Sequence, residues 1–294
     1  MQKRILSNGI EIPSIILGTS ICDRQSLSLF GKHISDKLLF KQMTDGLIYA
    51  VRNGVTGIDT GRDYNNEPIL GKIFNDLFRN HIVKRDELFI TTKVGNGQQR
   101  FCNMEKELDI SLKSLKLDYL DLWMLHWPLP GFYIDNWKQL CKIYKSGKVK
   151  AIGIANVRER HLLELEQADV EVMPQIIQVE CHPFRTVEGL RKFCNEKNIQ
   201  LEAYTANCAM LPFVRENTAL NELAQKYGKS LTQIIMRWHV QRGVIPIFSS
   251  NNPKHISENI DVFDFNISDD DMKHIFNLNI DYKYHPESVN CPGY

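Results

Sequence analysis

Eight short runs of nearly unbroken apolar character recur along this chain, most of them followed by a stretch with helical spacing. They are IILGT (15–19), VTGID (55–59), LFITTKV (88–94), LDLWMLHW (120–127), VKAIGIA (149–155), QIIQVEC (175–181), IQLEAY (199–204) and VIPIFS (244–249). A strand with one wet face alternates polar and apolar residues. One covered on both faces does not, and that is the situation in a parallel sheet flanked by helices. The segment 36–53 is the clearest intervening helix: Ser35 is placed to cap it and Gly54 to stop it. Leu38, Leu39, Met43, Leu47, Ala50 and Val51 fall on one stripe, which reads as core. Further helical segments are expected near 66–79, 103–115, 135–146, 157–167, 187–197 and 218–241. Eight strands with helical crossovers predict an α/β fold, a (β/α)8 TIM barrel, which needs about 250 residues; the chain has 294. Asn8-Gly9 between two short apolar stretches predicts an N-terminal β-hairpin. No Pro/Gly/Ser-rich linker interrupts the alternation, so one domain over 1–294 is expected.

Charge and cysteine usage exclude several classes. Lys plus Arg number 36 and Asp plus Glu 35, so no field favours nucleic acid or an anionic membrane. No apolar run is long enough to span a bilayer, and MQKRILSNGIEIP lacks the core of a signal peptide. Seven scattered cysteines, none spaced CxxC, argue against a disulfide framework or a thiolate metal site. They read as reduced thiols in a cytoplasmic protein.

Barrels carry their chemistry at the carboxyl ends of their strands, which turns the fold into a filter. Asp59 and Tyr64 follow the second run, Lys93 ends the third and His126 ends the fourth. Singly, each has a bland reading: a histidine ahead of Trp-Pro is more often a core residue, and an aspartate after a strand is often a helix cap. Lys93 is harder to dismiss, because TTKV would bury an ammonium group that needs a partner. Asp59 on the adjacent strand is the obvious one. Together the four suggest a device for protonating an oxygen. A tyrosine titrates near about 10. A cation about 4 Å away, at an effective dielectric near 20, is worth about 4 kcal/mol, or roughly three pKa units. Lys93 is therefore expected to make Tyr64 a working acid, with Asp59 keeping Lys93 charged and His126 orienting a bound carbonyl. The set holds no conventional nucleophile, so it needs a hydride donor.

In these motifs the chain resembles the aldo-keto reductases. GIDTGRDYNNEPILG (57–71) is similar to that family's signature, and TTKV (91–94) and LHWP (125–128) match its lysine and histidine segments in order. The hairpin, IGIAN (152–156), QVECHP (178–183), AYTA (203–206) and HISEN (255–259) extend the similarity over nearly the whole chain. The resemblance implies NAD(P)H-dependent, reversible reduction of an aldehyde or ketone, with Asp59, Tyr64, Lys93 and His126 catalytic and Tyr64 the proton donor. It implies NADP(H) or NAD(H) lying across the barrel mouth. Asn156 and Gln178 would hold the carboxamide and Tyr204, next to Thr205, would stack on the nicotinamide. Ser249, Ser250 and His255 would lie along the ribose phosphate, and Glu258 and Asn259 at the adenine. Trp127 and Ser20 would line the substrate pocket.

Several positions depart from the family pattern. Ala155 stands where a serine commonly assists Asn156, Cys181 where tyrosine is frequent, and Ser20 where many members carry a tryptophan. Ser249 and His255 fall where NADPH-preferring members usually have cations. Losing two charge-assisted bonds of about 1.5–3 kcal/mol each implies relaxed specificity with NADH usable. The long connection 20–34, with Cys22, Phe30 and His33, is expected to overhang the catalytic end, and the tail 282–294 to close the other side. Partners reduce to a small carbonyl or alcohol substrate, with no metal, and a monomer or small homo-oligomer. Two other readings are a cofactor-binding sensor or structural barrel with little turnover, and a Schiff-base lyase using Lys93. The lyase requires a neutral amine, which Asp59 opposes.

Overall fold

The structure, a computed structural model, describes residues 2–20, 36–287, 291 and 293–294. The expected cap Ser35 and the loop residues Cys22, Phe30 and His33 lie outside the described residues.

Strands β1 (Lys3–Ile5) and β2 (Glu11–Pro13) pair antiparallel across a turn in which Gly9 has φ 83°. Eight parallel strands follow: β3 (Ile16–Gly18), β4 (Gly57–Asp59), β5 (Phe89–Val94), β6 (Leu122–Leu125), β7 (Ile152–Ala155), β8 (Ile176–Glu180), β9 (Gln200–Tyr204) and β10 (Ile245–Phe248). They pair in sequence order, and β10 pairs with both β9 and β3, so the barrel closes. Each of these eight strands lies inside one of the eight apolar runs.

Alternation along the strands separates two interiors. Ile58, Ile90, Trp123, Leu125, Ile154, Ile177 and Leu201 pack with the helices into a continuous outer core. Ile16, Phe89, Leu122, Met124, Ala155, Ile176, Ile245 and Ile247 form a separate inner cluster, and the hairpin residues Leu6 and Ile12 belong to it. The hairpin thus stoppers the amino-terminal end of the barrel. Continuing along the same inward registers replaces these apolar groups with polar ones: Thr91 and then Lys93 after Phe89, Gln178 after Ile176. Glu202 lies beside Gln178 in the β8–β9 register. The barrel core is apolar at its floor and ionic toward its mouth.

Met43, Leu47, Ala50 and Val51 of the Asp36–Arg52 helix are buried as expected, whereas Leu38 in its first turn is 46% exposed. The segment expected to be helical over 218–241 is two helices, Thr218–Tyr227 and Leu231–Gln241, because Gly228 adopts φ 62° and Ser230 caps the second. Leu231 onward keeps the helical period, so the break shows only in the Gly-Lys-Ser step. Among the described residues no helix is long and apolar enough to cross a membrane, and the six described cysteines are free thiols.

Candidate active site

The four strand-end residues converge. β4 ends at Asp59, and the chain then turns through a short 3₁₀ helix, Arg62–Tyr64, which drops the tyrosine back over the barrel. Lys93 Nζ donates to Asp59 Oδ1 at 2.6 Å, to Asp59 Oδ2 at 2.7 Å, to the Thr60 carbonyl at 2.9 Å and lies 3.5 Å from the Tyr64 hydroxyl. The His126 ring meets the Tyr64 ring edge-on, centroids 5.8 Å apart. Lys93 has no solvent exposure and Asp59 only 3%, so the ammonium survives burial only because its donors are taken up.

Neighbouring residues of the same stretch brace this turn. Thr60 Oγ1 donates to Asn66 Oδ1 at 2.8 Å, and Asn66 Nδ2 donates to the Thr19 carbonyl at 3.0 Å, tying β3 to β4. Glu67 accepts from Thr92 Oγ1 at 2.7 Å and pairs with Arg62 at 3.2 Å. Asn66 and Glu67 are therefore scaffold, each 1% exposed.

The electrostatics differ from the sequence expectation in one respect. Burial pushes the Tyr64 phenol above the ordinary tyrosine range; Lys93 pulls it down, but Asp59 and Asp63 add to the rise. Desolvation, invisible in the sequence, outweighs the cation. Burial would lower Lys93, yet Asp59 and Tyr64 hold it above its usual value. Tyr64 therefore keeps its proton through neutral pH and is available as a donor.

A cavity of about 640 Å³ opens over these groups. Ser20, Trp127, Asn156, Gln178, Tyr204, Thr205 and Ser249 line it with Asp59, Tyr64 and His126; Tyr284 and His285 of the tail close one side. Asn156 Nδ2 donates to the His126 carbonyl at 2.9 Å, and the Tyr204 hydroxyl, which burial keeps protonated, donates to Asn156 Oδ1 at 2.7 Å. Gln178 Nε2 spends one hydrogen on Asp59 Oδ2 at 3.0 Å and the other on Glu202 Oε2 at 2.9 Å. Its amide nitrogen faces down, leaving the oxygen as the end free to meet a ligand. Asn156 and Thr205 have φ 59° and 51°, and a left-handed threonine is strained backbone of the kind found at binding sites.

The other expected cofactor residues lie apart from this cavity. Ser250 is buried and its hydroxyl accepts from the Asn252 N–H at 3.0 Å, a turn contact. His255 is exposed, and Glu258 faces Lys254 at 3.9 Å. Asn259 is 5% exposed, and its Oδ1 is a buried acceptor without a partner among the described residues. An orphaned amide oxygen suits an exocyclic amine such as adenine carries, and Gln178, anchored through its nitrogen in a cavity it lines with Tyr204, suits a carboxamide-bearing aromatic. The residues present fit a nicotinamide dinucleotide.

Two residues of the site were not singled out in the sequence. Glu202 carried a signal, an acid inside a strand buried on both faces. Asp63, whose Oδ2 lies 3.0 Å from His126 Nδ1, carried none, since nothing in GRDYNN shows that its side chain reaches strand β6.

A family model described as the aldo/keto reductase family matches residues 14–208 and 210–280. The chain is 38% identical to the glyoxal reductase of Bacillus subtilis (strain 168), over 96% of this chain and 94% of that one. It is 35% identical to the methylglyoxal reductase DkgA of Escherichia coli (strain K12), over 83% and 87%. An aldo-keto reductase of Bombyx mori, solved in complex with NADP, superposes with a TM-score of 0.88 at 28% identity over 99% of both chains.

Proposed function

The chain belongs to the aldo/keto reductase family, an NAD(P)H-dependent carbonyl oxidoreductase, and from that premise we propose that it reduces small aldehydes, α-dicarbonyls foremost, with Tyr64 as proton donor. The substrate class is argued from relatives named for glyoxal and methylglyoxal and from a cavity with polar groups on several walls. The observation that carries the assignment of roles is the bridge made by Lys93 Nζ, 2.6 Å from Asp59 and 3.5 Å from the Tyr64 hydroxyl.

The bound dinucleotide supplies a hydride to the carbonyl carbon. As negative charge develops on the oxygen, Tyr64 releases its proton there, and the Lys93 ammonium stabilises the phenolate left behind. Asp59 keeps Lys93 charged and oriented. His126, across the Tyr64 ring, sets the direction from which the oxygen is approached. Asn156 and Gln178 would hold the carboxamide, Tyr204 would stack on the ring, and Asn259 would meet the adenine.

Oxidation of NADPH and of NADH, followed against a panel of glyoxal, methylglyoxal, simple aldehydes, ketones and sugars, tests the reading. We expect turnover with the dicarbonyls, and Tyr64→Phe to lower kcat by at least a thousandfold while cofactor binding changes less than threefold. Undiminished turnover by Tyr64→Phe would remove Tyr64 from the mechanism. The same reading predicts relaxed cofactor choice: Ser249 and His255 bring no permanent cation, and Lys254 is 81% exposed. Dissociation constants for NADPH and NADH should differ by well under a thousandfold.

A further inference from the structure

We propose that Asp63 is a positioning residue that fixes the tautomer of His126, so that His126 assists carbonyl reduction only when doubly protonated and, as a neutral ring, favours the reverse oxidation of an alcohol. The inference rests on the reductase reading above and adds a residue to it. His126 Nδ1 lies 3.0 Å from Asp63 Oδ2. A carboxylate oxygen can only accept, so the ring proton resides on Nδ1. Nε2 of a neutral ring then presents a lone pair. It has no hydrogen-bond partner among the described residues, and His126 lines the cavity. Against a carbonyl oxygen a lone pair gives no hydrogen bond, and donation requires a second proton. Against an alcohol hydroxyl the same lone pair is the right acceptor.

The contact is built into the backbone. Gly95 directly follows β5, and a Cβ there would lie 1.9 Å from Asp63 Oδ1, so glycine admits the carboxylate at this place. The adjacent cation does not compete for it, since Arg62 is paired with Glu67 at 3.2 Å. Lys93 is likewise committed to Asp59. The titratable and charged groups around His126 are Asp63 and Tyr64 of the turn, Asp59 of β4, Lys93 of β5, Tyr204 of β9, and Tyr284 and His285 of the tail.

The test compares kcat/KM for methylglyoxal reduction between pH 6 and 9, at saturating NADPH, in the wild type, Asp63→Ala and Asp63→Asn. Asp63 also raises the Tyr64 phenol, and both substitutions remove that charge, so its effect on Tyr64 cancels in the ratio of Asp63→Ala to Asp63→Asn. Asp63→Ala frees the ring to carry its proton on Nε2, whereas Asp63→Asn still offers an oxygen to Nδ1–H, and the ratio of the first to the second should rise at least tenfold across the range. A level ratio would overturn the proposal. A readout independent of turnover is the ring ¹⁵N spectrum of histidine-labelled protein, with His126 assigned by its loss in His126→Asn. The neutral wild-type ring should be protonated at Nδ1 and that of Asp63→Ala at Nε2. A neutral wild-type ring protonated at Nε2 would overturn the proposal even if reduction were robust. The expected tautomer in a protein that reduces no carbonyl would instead overturn the assigned reaction.

Discussion

Glu202 sits inside the barrel with Oε2 accepting from Gln178 and Oε1 buried without a partner among the described residues. Burial, reinforced by the nearby Asp59 carboxylate, pushes it up to about 8, against the pull of Gln178 and Lys93. An unfolded glutamate titrates near about 4.3, so between that value and 8 the folded chain binds more protons here than the unfolded one. The contribution of this group is therefore complete below about pH 4.3 and is lost as pH rises toward 8, by up to about 1.4 kcal/mol per pH unit. Glu202→Gln keeps the shape without the titration. Its urea-unfolding free energy, subtracted from that of the wild type, should drift in favour of the variant between pH 5 and 8; parallel curves would refute the protonated acid. At this scale the sequence was informative where a residue's place on a strand implied its environment. Asp59, Lys93 and His126 end strands, and a polar group at the end of a buried strand has few bland explanations. The acidity of Tyr64 is not legible there, because it depends on how much water the folded chain removes, which no local pattern encodes. Asp63 was missed because its partner lies on another strand and its space exists only where Gly95 has no side chain.

The Glu67–Arg79 helix illustrates how an element delivers those residues. Leu70, Ile73, Phe74 and Leu77 bury one stripe, and Pro68 at its start has no N–H to waste. Gly71 on the same helix faces the Met104–Leu115 helix so closely that a Cβ would lie 2.2 Å from the Ser114 carbonyl and 2.8 Å from the Leu115 carbonyl carbon. Neither contact is with a side chain that could swing away. Gly71→Ala should therefore destabilise the protein by about 1–3 kcal/mol despite the better helix propensity of alanine, because the helices must separate. Thermal unfolding would measure it, and an unchanged or raised Tm would refute the close approach. Strands were legible for a simple reason: covering both faces removes polar residues from the whole run. The break at Gly228 was less so, since the apolar period continues on both sides and one glycine in a helical pattern is ambiguous until its φ is known.

For the molecule as a whole, the order of elements was dictated by the alternation of runs, and closure of eight parallel strands followed from their number. What the alternation could not specify was how the barrel is sealed. Ile12 has no solvent exposure and Leu6 only 4%, both within the inner cluster. Ile12→Ala should cost about 2–4 kcal/mol, seen as a lower urea midpoint with the m-value unchanged. Loss of stability below about 0.5 kcal/mol would mean the hairpin is ornamental.

That stopper has a further consequence for proton traffic. Lys93 and Glu202 have no contact with solvent, and beneath them the floor is hydrocarbon from Phe89 and Ile176 down to the hairpin. On the proposed reading, a proton surrendered by Tyr64 would be restored from the cavity side, where Tyr64 meets the opening, and not through this hydrocarbon floor.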